Sequence, residues 1–386
     1  MVKKKSVLIC IFDLRKCHSM IQSIFIENFR CFHKTDIKSL KRINLIGGQN
    51  NVGKTTLLEA ILLGVNPSDK SVIFIQQKLR SDYGNIDSPE LTWQSLFFNF
   101  NRKENINIMV STAGATFGAR FAVKDVKKKP GIVSQDNLIA DETLLKVVDN
   151  SAEDETVQSS LVCYKIQPES GTSPAMRLEA SKGKLKFGIS GGLPTPIFFV
   201  TFIPAGFKPL PAAMADDFEK LRYRGQDDVI LSVVRIIDPS IDRVEVFSFG
   251  SKKIHLQRKE QPFIPITMFG DAINKVVNIT LKIANSQNGI LLIDEIENGI
   301  HYTHQHAFWS LLFKVARKFN VQIFSTSHSL EMIRAFNTVA INEGLADDTQ
   351  YIEMFRSARN GEIVGNMISH DTLAYSLVNN QTFRGE

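Results

Sequence analysis

Apolar residues in this chain group in two ways, and together they predict an α/β fold. Short, mostly apolar runs occupy residues 43–46, 289–293 and 321–324, with Asn44 and Gln322 as polar exceptions. Such runs suit strands in the middle of a parallel sheet, where both faces are covered. Helical periods accompany them. Residues 56–63 continue the first run as a helix, and residues 303–319 place Phe308, Leu311, Leu312, Val315 and Phe319 on one helix face. Lys314, Arg317 and Lys318 gather toward the end of that second helix, where cations suit its dipole. The weakest pattern lies at 104–197. There, short β-like runs (106–110, 161–166, 185–189) alternate with polar stretches such as 149–160, which predicts inserted strands with a flexible loop. No heptad repeat of any length occurs, so a long coiled coil is excluded.

The residues joining the first run to its helix carry chemistry. Gly48, Gly53, Lys54 and Thr55 satisfy the G-x-x-x-x-G-K-[ST] phosphate-loop pattern between a strand and a helix. Its glycines let the backbone curl so that successive N–H groups point inward, and the helix N-terminus adds the positive end of its dipole. The spacing predicts a cradle from Gly48 through Asn50, Asn51, Val52, Gly53, Lys54, Thr55 and Thr56. Lys54 would reach the β- and γ-phosphates of ATP, and the Thr55 hydroxyl would hold Mg²⁺.

A second half of the site is expected far downstream. The run at 289–293 ends in Asp294 and Glu295, at the strand end where ligands bind in open α/β sheets. Asp294 would complete the Mg²⁺ shell. Glu295 would orient and deprotonate the attacking water. The run at 321–324 ends in small polar residues and His328, placed to hydrogen-bond the γ-phosphate or that water.

The distance from Lys54 to Asp294 separates this chain from AAA+ modules, small GTPases and nucleoside kinases, which keep these motifs much closer. Together with the Asp-Glu pair and the terminal histidine, it resembles ABC-type ATPase heads. The pieces Ile24-Phe-Ile-Glu-Asn-Phe-Arg-Cys-Phe32, the phosphate loop, Leu292-Ile-Asp-Glu-Ile-Glu-Asn-Gly-Ile-His301 and Ser325-Thr-Ser-His-Ser329 are similar to the RecF, SMC and OLD-like family, and nearest to stand-alone OLD-like ATPases. The resemblance implies a P-loop NTPase of the ABC/SMC-head type, with two packed lobes, a mixed or parallel sheet and a β-rich insertion. It also implies a homo-dimer or higher homo-oligomer, because such heads close each nucleotide with a signature motif from the other subunit. Ile189-Ser-Gly-Gly192 imitates that motif, but Pro194 and Pro196 follow it and suit an extended segment. The segment 266–279 matches better: Gly270 opens a helix leading to the Asp294 strand. Met268 stands where the family often has serine, which implies either weak trans activation or the use of Asn274 or Lys275. Residues 297–301 would couple the two sites. The family often accompanies a separate effector, such as a nuclease, in bacterial defence loci, and here the chain beyond His328 shows no Toprim-like acidic cluster of its own. The expected divisions are an N-terminal extension at 1–19, a first lobe at 20–262 with the β-rich insertion, and a second lobe at 263–386.

Composition adjusts this picture little. The chain has 386 residues, 43% hydrophobic, enough for a large core. Cys10, Cys17, Cys31 and Cys163 show neither metal spacing nor a disulfide framework, which points to the reducing cytoplasm. No apolar run reaches the ~18 residues that span a bilayer, so no membrane partner is expected. A net charge of +6 is mild for this size and permits nucleic-acid binding without requiring it. Lys127-Lys-Lys129 reads as a solvated loop. Gln94 is the candidate metal-sensing glutamine, within a stretch (93–100) that otherwise reads as core. Arg30 reads either as approaching the nucleotide or as pairing on the surface. A RecF-like DNA-repair ATPase and an ABC transporter subunit stand as alternative functions.

Overall fold

The computed structural model describes residues 20–80, 91–128, 156–167, 171–181, 184–188 and 198–378. Residues 1–19, the polar stretch 149–155 and the Ile189–Gly192 string lie outside the described residues. The chain opens on a hairpin, β1 (Ser23–Phe29) and β2 (Phe32–Ile37), then passes through β3 (Ile43–Gly48) into α1 (Lys54–Val65). A short helix, α2 (Asp69–Ile73), leads into a π-helical turn. Five strands follow: β4 (Ile106–Ser111), β5 (Thr116–Lys128), β6 (Thr156–Gln167), β7 (Gly171–Ser181) and β8 (Lys184–Gly188). With the hairpin they form one antiparallel sheet, ordered β2-β1-β4-β5-β6-β7-β8. Lys127 and Lys128 belong to β5, paired with Val157 and Thr156 of β6, which corrects the expectation of a loop there.

Beyond β9 (Val200–Ile203) come α3 (Pro211–Tyr223), α4 (Asp228–Ile237) and a three-stranded antiparallel sheet of β10 (Ile241–Phe247), β11 (Lys253–Arg258) and β12 (Ile264–Pro265). The remainder alternates: α5 (Asp271–Asn285), β13 (Ile290–Ile293), α6 (Gln305–Lys318), β14 (Gln322–Thr326), α7 (Leu330–Asn342), β15 (Thr349–Arg356), β16 (Ile363–Ile368) and α8 (His370–Val378). A six-stranded sheet is ordered β16-β15-β3-β14-β13-β9 and is parallel throughout except at β16.

Strand period divides the apolar residues of this sheet between two cores. Ile290 and Leu292 of β13, Ile46 of β3 and Phe324 of β14 face α1 and the antiparallel sheet. Leu291, Ile293, Leu45 and Ile323 face the layer built from α3 to α8. Both faces are covered, so these strands carry apolar residues on both faces. Helix α1 lies between the two sheets, against β4 and β5 on one side and β3, β13 and β14 on the other. A helix enclosed in this way is apolar all round, and Leu57, Leu58, Ile61, Leu62 and Leu63 make it so. Its one carboxylate, Glu59, is fully buried. Among the described residues, no helix is long and apolar enough to cross a membrane.

Candidate functional site

Parallel register brings three distant segments to one edge. Thr326 stands opposite Ile46, and Ser325 opposite Ile293, so β3, β13 and β14 end side by side. The turns leaving them enclose a cavity of about 350 Å³. Asn50, Asn51, Gly53, Lys54, Thr55 and Thr56 line it from the loop before α1; Asp294, Glu295 and His328 line it from the other two strand ends.

Backbone conformation explains the glycines. Gly48 has φ 129° and Gly53 has φ 82°, values that favour a residue without Cβ. A Cβ on Gly48 would meet the Met354 carbonyl oxygen at 2.1 Å, and one on Gly53 would meet Cys31 Sγ at 2.5 Å. Gly53 caps α1 without any side-chain hydrogen bond, so the first N–H groups of the helix have no side-chain acceptor there. Lys54 Nζ donates to the carbonyls of Gly48 and Gln49, each at 2.8 Å, and fills the curl of the loop. Burial lowers its pKa, against the opposing fields of Glu297, Asp294 and Glu295.

The opposite wall is acidic and tightly fixed. Thr55 Oγ1 lies 3.0 Å from both Asp294 carboxylate oxygens. Thr326 Oγ1 donates to Asp294 Oδ1 at 2.6 Å and accepts from the Glu295 N–H at 2.8 Å, so one hydroxyl sets both carboxylate residues. Burial raises the pKa of Asp294, only partly offset by the Thr326 and Thr55 hydroxyls. Glu295 has φ 49°, an uncommon conformation for a residue with a Cβ and one found at functional sites. Its Oε2 accepts from Asn298 Nδ2 at 2.7 Å. A hydroxyl and a carboxylate are the hard oxygen donors that Mg²⁺ takes alongside substrate phosphates and water, so Thr55 and Asp294 fit that ion.

Other expected residues are engaged elsewhere or sit apart from the cavity. Val52 is buried, and its side chain belongs to the core beneath the loop, so only its backbone is available to a ligand. Thr56 is 6% exposed, and its hydroxyl accepts from Arg80. Gly270 opens α5 with φ 87° and has open space around its Cα, away from the cavity of its own chain. Asn274 Nδ2 is bound to the carbonyls of Ile266 and Gly270, and Lys275 Nζ donates to the Glu295 carbonyl at 3.0 Å. Both candidates for trans activation are therefore engaged within the chain. Gln94 does not line the cavity. Arg30 is neither at the cavity nor paired on the surface: its Nε lies 2.8 Å from Glu59 Oε2 in the core.

Three participants make contacts that the motif patterns did not indicate. Arg80 lines the cavity while its Nε reaches Glu59 Oε1 at 2.7 Å. Thr326 anchors the acidic wall. Glu297 accepts from His328. Thr326 and Glu297 lay within the motif pieces, and the buried partner of Arg80, Glu59, carried its own signal as the one carboxylate of an otherwise mostly apolar helix.

Comparison with known proteins adds a family. A family model described as an AAA ATPase domain matches residues 20–168 and 220–333. An ATP/GTP phosphatase of Helicobacter pylori is 26% identical over 351 residues, spanning 86% of this chain and 91% of that protein. An uncharacterized protein of Methanocaldococcus jannaschii is 36% identical over 63 residues, 16% of this chain and 29% of its own length. Among solved structures, an SMC head bound to the C-terminal winged-helix domain of ScpA has a TM-score of 0.47 at 11% identity, covering 90% of this chain and 97% of its own. An SMC head domain from Thermotoga maritima has a TM-score of 0.40 at 9% identity, covering 90% and 98%.

Proposed function

Because the chain belongs to the AAA ATPase domain family, we propose that the cavity at the ends of β3, β13 and β14 binds ATP with Mg²⁺ and hydrolyses it to ADP and phosphate. The observation that carries this reading is the convergence of Lys54, Thr55, Asp294, Glu295 and His328 on one cavity from three separate chain segments. Phosphoryl transfer is mostly positioning and charge stabilisation, and each requirement has a candidate here. Lys54 exchanges the Gly48 and Gln49 carbonyls for phosphate oxygens. Thr55 and Asp294 hold Mg²⁺, which neutralises phosphate charge when bound. Glu295, kept in place by Thr326 and Asn298, orients the attacking water and takes its proton. The ATP/GTP phosphatase relative supports a triphosphate substrate.

ATP binding in turn drives association. Gly270 opens α5 on an unobstructed surface, which supports its closing over the terminal phosphate of a second copy. ATP then favours a closed dimer or higher assembly, through its different affinity for the two states. That assembly retains a separate effector, a nuclease in our reading, and releases or activates it on a phage or DNA cue. Light scattering of Glu295→Gln with and without ATP should show ATP-dependent assembly, and pull-down from the native host should recover the effector. A strictly monomeric, fully active ATPase with no co-purifying protein would overturn the switch.

A further inference from the structure

His328 is half exposed and lines the cavity, yet one edge of its ring is held. Glu297 Oε1 lies 2.9 Å from His328 Nδ1 and accepts the His328 backbone N–H, also at 2.9 Å. One carboxylate oxygen thus grips both the peptide and the ring. The Glu297 side chain is only 9% exposed, and its second oxygen, Oε2, is buried without a hydrogen-bond donor among the described residues. Of the acidic groups around the site, Glu297 acts most strongly on both Lys54 and Lys275.

An ionised carboxylate only accepts hydrogen bonds. Nδ1 of His328 must then carry the proton of the shared bond, which leaves Nε2, on the far side of the ring, as the polar atom for the cavity. Which nitrogen of a histidine acts is set by the bond that the other one makes. We infer that Glu297 is a positioning residue for hydrolysis: it fixes His328 with Nδ1 as donor, so that Nε2 addresses the terminal phosphate and its attacking water. This inference rests on the hydrolytic reading above. It also gives residues 297–301 a role within the chain, at the site whose strand they leave.

A double-mutant cycle on the full chain, with ATP and Mg²⁺, tests it. Glu297→Ala should lower kcat roughly 10- to 100-fold, the range for losing one hydrogen bond to a charged group, while KM changes little. In a His328→Ala background, the same substitution should lower kcat no further, because its effect passes through the ring. Glu297→Gln keeps an acceptor at Oε1 and should retain more activity than alanine; it stands in for alanine if that variant does not fold. Nitrogen NMR of labelled histidine should show the Nδ1–H tautomer at His328, lost in Glu297→Ala. Additive losses in the two backgrounds, a native kcat for Glu297→Ala or for His328→Ala, or an Nε2–H tautomer in the native protein would overturn the assignment. A native rate in Glu295→Gln would instead overturn the hydrolytic reading itself.

Discussion

Replacing Glu59 with leucine probes a fully buried carboxylate held between two arginines. Its carboxylate is fully buried between Arg30 Nε at 2.8 Å and Arg80 Nε at 2.7 Å. The two pairs are unequal. Arg80 is 36% exposed and can be rehydrated, so its share is about 1 kcal/mol or less, as for a surface pair. Arg30 is 13% exposed and cannot be. Removing one partner of a buried pair costs about 3–5 kcal/mol, because the remaining charge loses its buried counter-ion. At roughly 2 °C per kcal/mol for a large domain, the melting temperature should fall by about 6–10 °C. The double variant Glu59→Leu/Arg30→Met should recover most of that, since exchanging a whole buried pair for apolar groups is often neutral. Burial raises the pKa of Glu59 even against its two arginines. The folded state therefore takes up a proton more readily than the unfolded chain, and this contribution to stability is lost as pH rises through the folded pKa. Relative to Glu59→Gln, the native protein should gain stability as pH falls toward the ordinary carboxylate range. Thermal melts followed by circular dichroism decide the matter. A Glu59→Leu melting temperature within about a degree of native would refute the argument that Arg30 depends on it.

The other predictions concern the cavity. Lys54→Ala removes the ammonium from the curl of the phosphate loop and should weaken ATP binding; unchanged affinity by calorimetry would contradict the assignment of the loop. Glu295→Gln should keep ATP bound and cut turnover by roughly 10²-fold or more, the scale of general-base contributions, in a phosphate-release assay. Burial lowers the Lys275 pKa to about 8, so its charged form costs stability that is relieved as pH rises from that value toward 10.5. Urea titrations at pH 7 and pH 10 should therefore show the native protein gaining up to about 3 kcal/mol over Lys275→Met, at 1.36 kcal/mol per pKa unit; a gap independent of pH would sink this.

Local pattern explains which parts were legible in the sequence. β3, β13 and β14 carry apolar residues on both faces because both are covered, and a glycine-rich turn or an acidic pair at such a strand end announces itself. The antiparallel strands β5 to β8 carry mixed residues, so their register and their union with β1 and β2 left little trace. Contacts between distant segments were equally hidden. Arg30, Glu59 and Arg80 meet through three elements that share no motif. Asn274 bonds to the turn that opens α5, whereas the bond of Lys275 depends on how α5 packs against the turn after β13. Glu297 was legible as part of a coupling segment, but its grip on His328 depends on how closely two neighbouring strand ends approach.

The place of β3 in the parallel sheet has a consequence for synthesis. Both of its neighbours, β14 and β15, are made long after it, and Ile46 has no partner until Thr326 has left the ribosome. At roughly 5–20 residues per second, that wait lasts tens of seconds. During it, α1 can settle on the antiparallel sheet, because β1, β2, β4 and β5 are already present, but the sheet side of β3 stays open. We expect ribosome-stalled chains ending before residue 320 to lose β3 to protease while the β1–β2 hairpin persists, and chains extended through β15 to protect both. Equal protection of β3 in the shorter chains would show that some other segment holds its place.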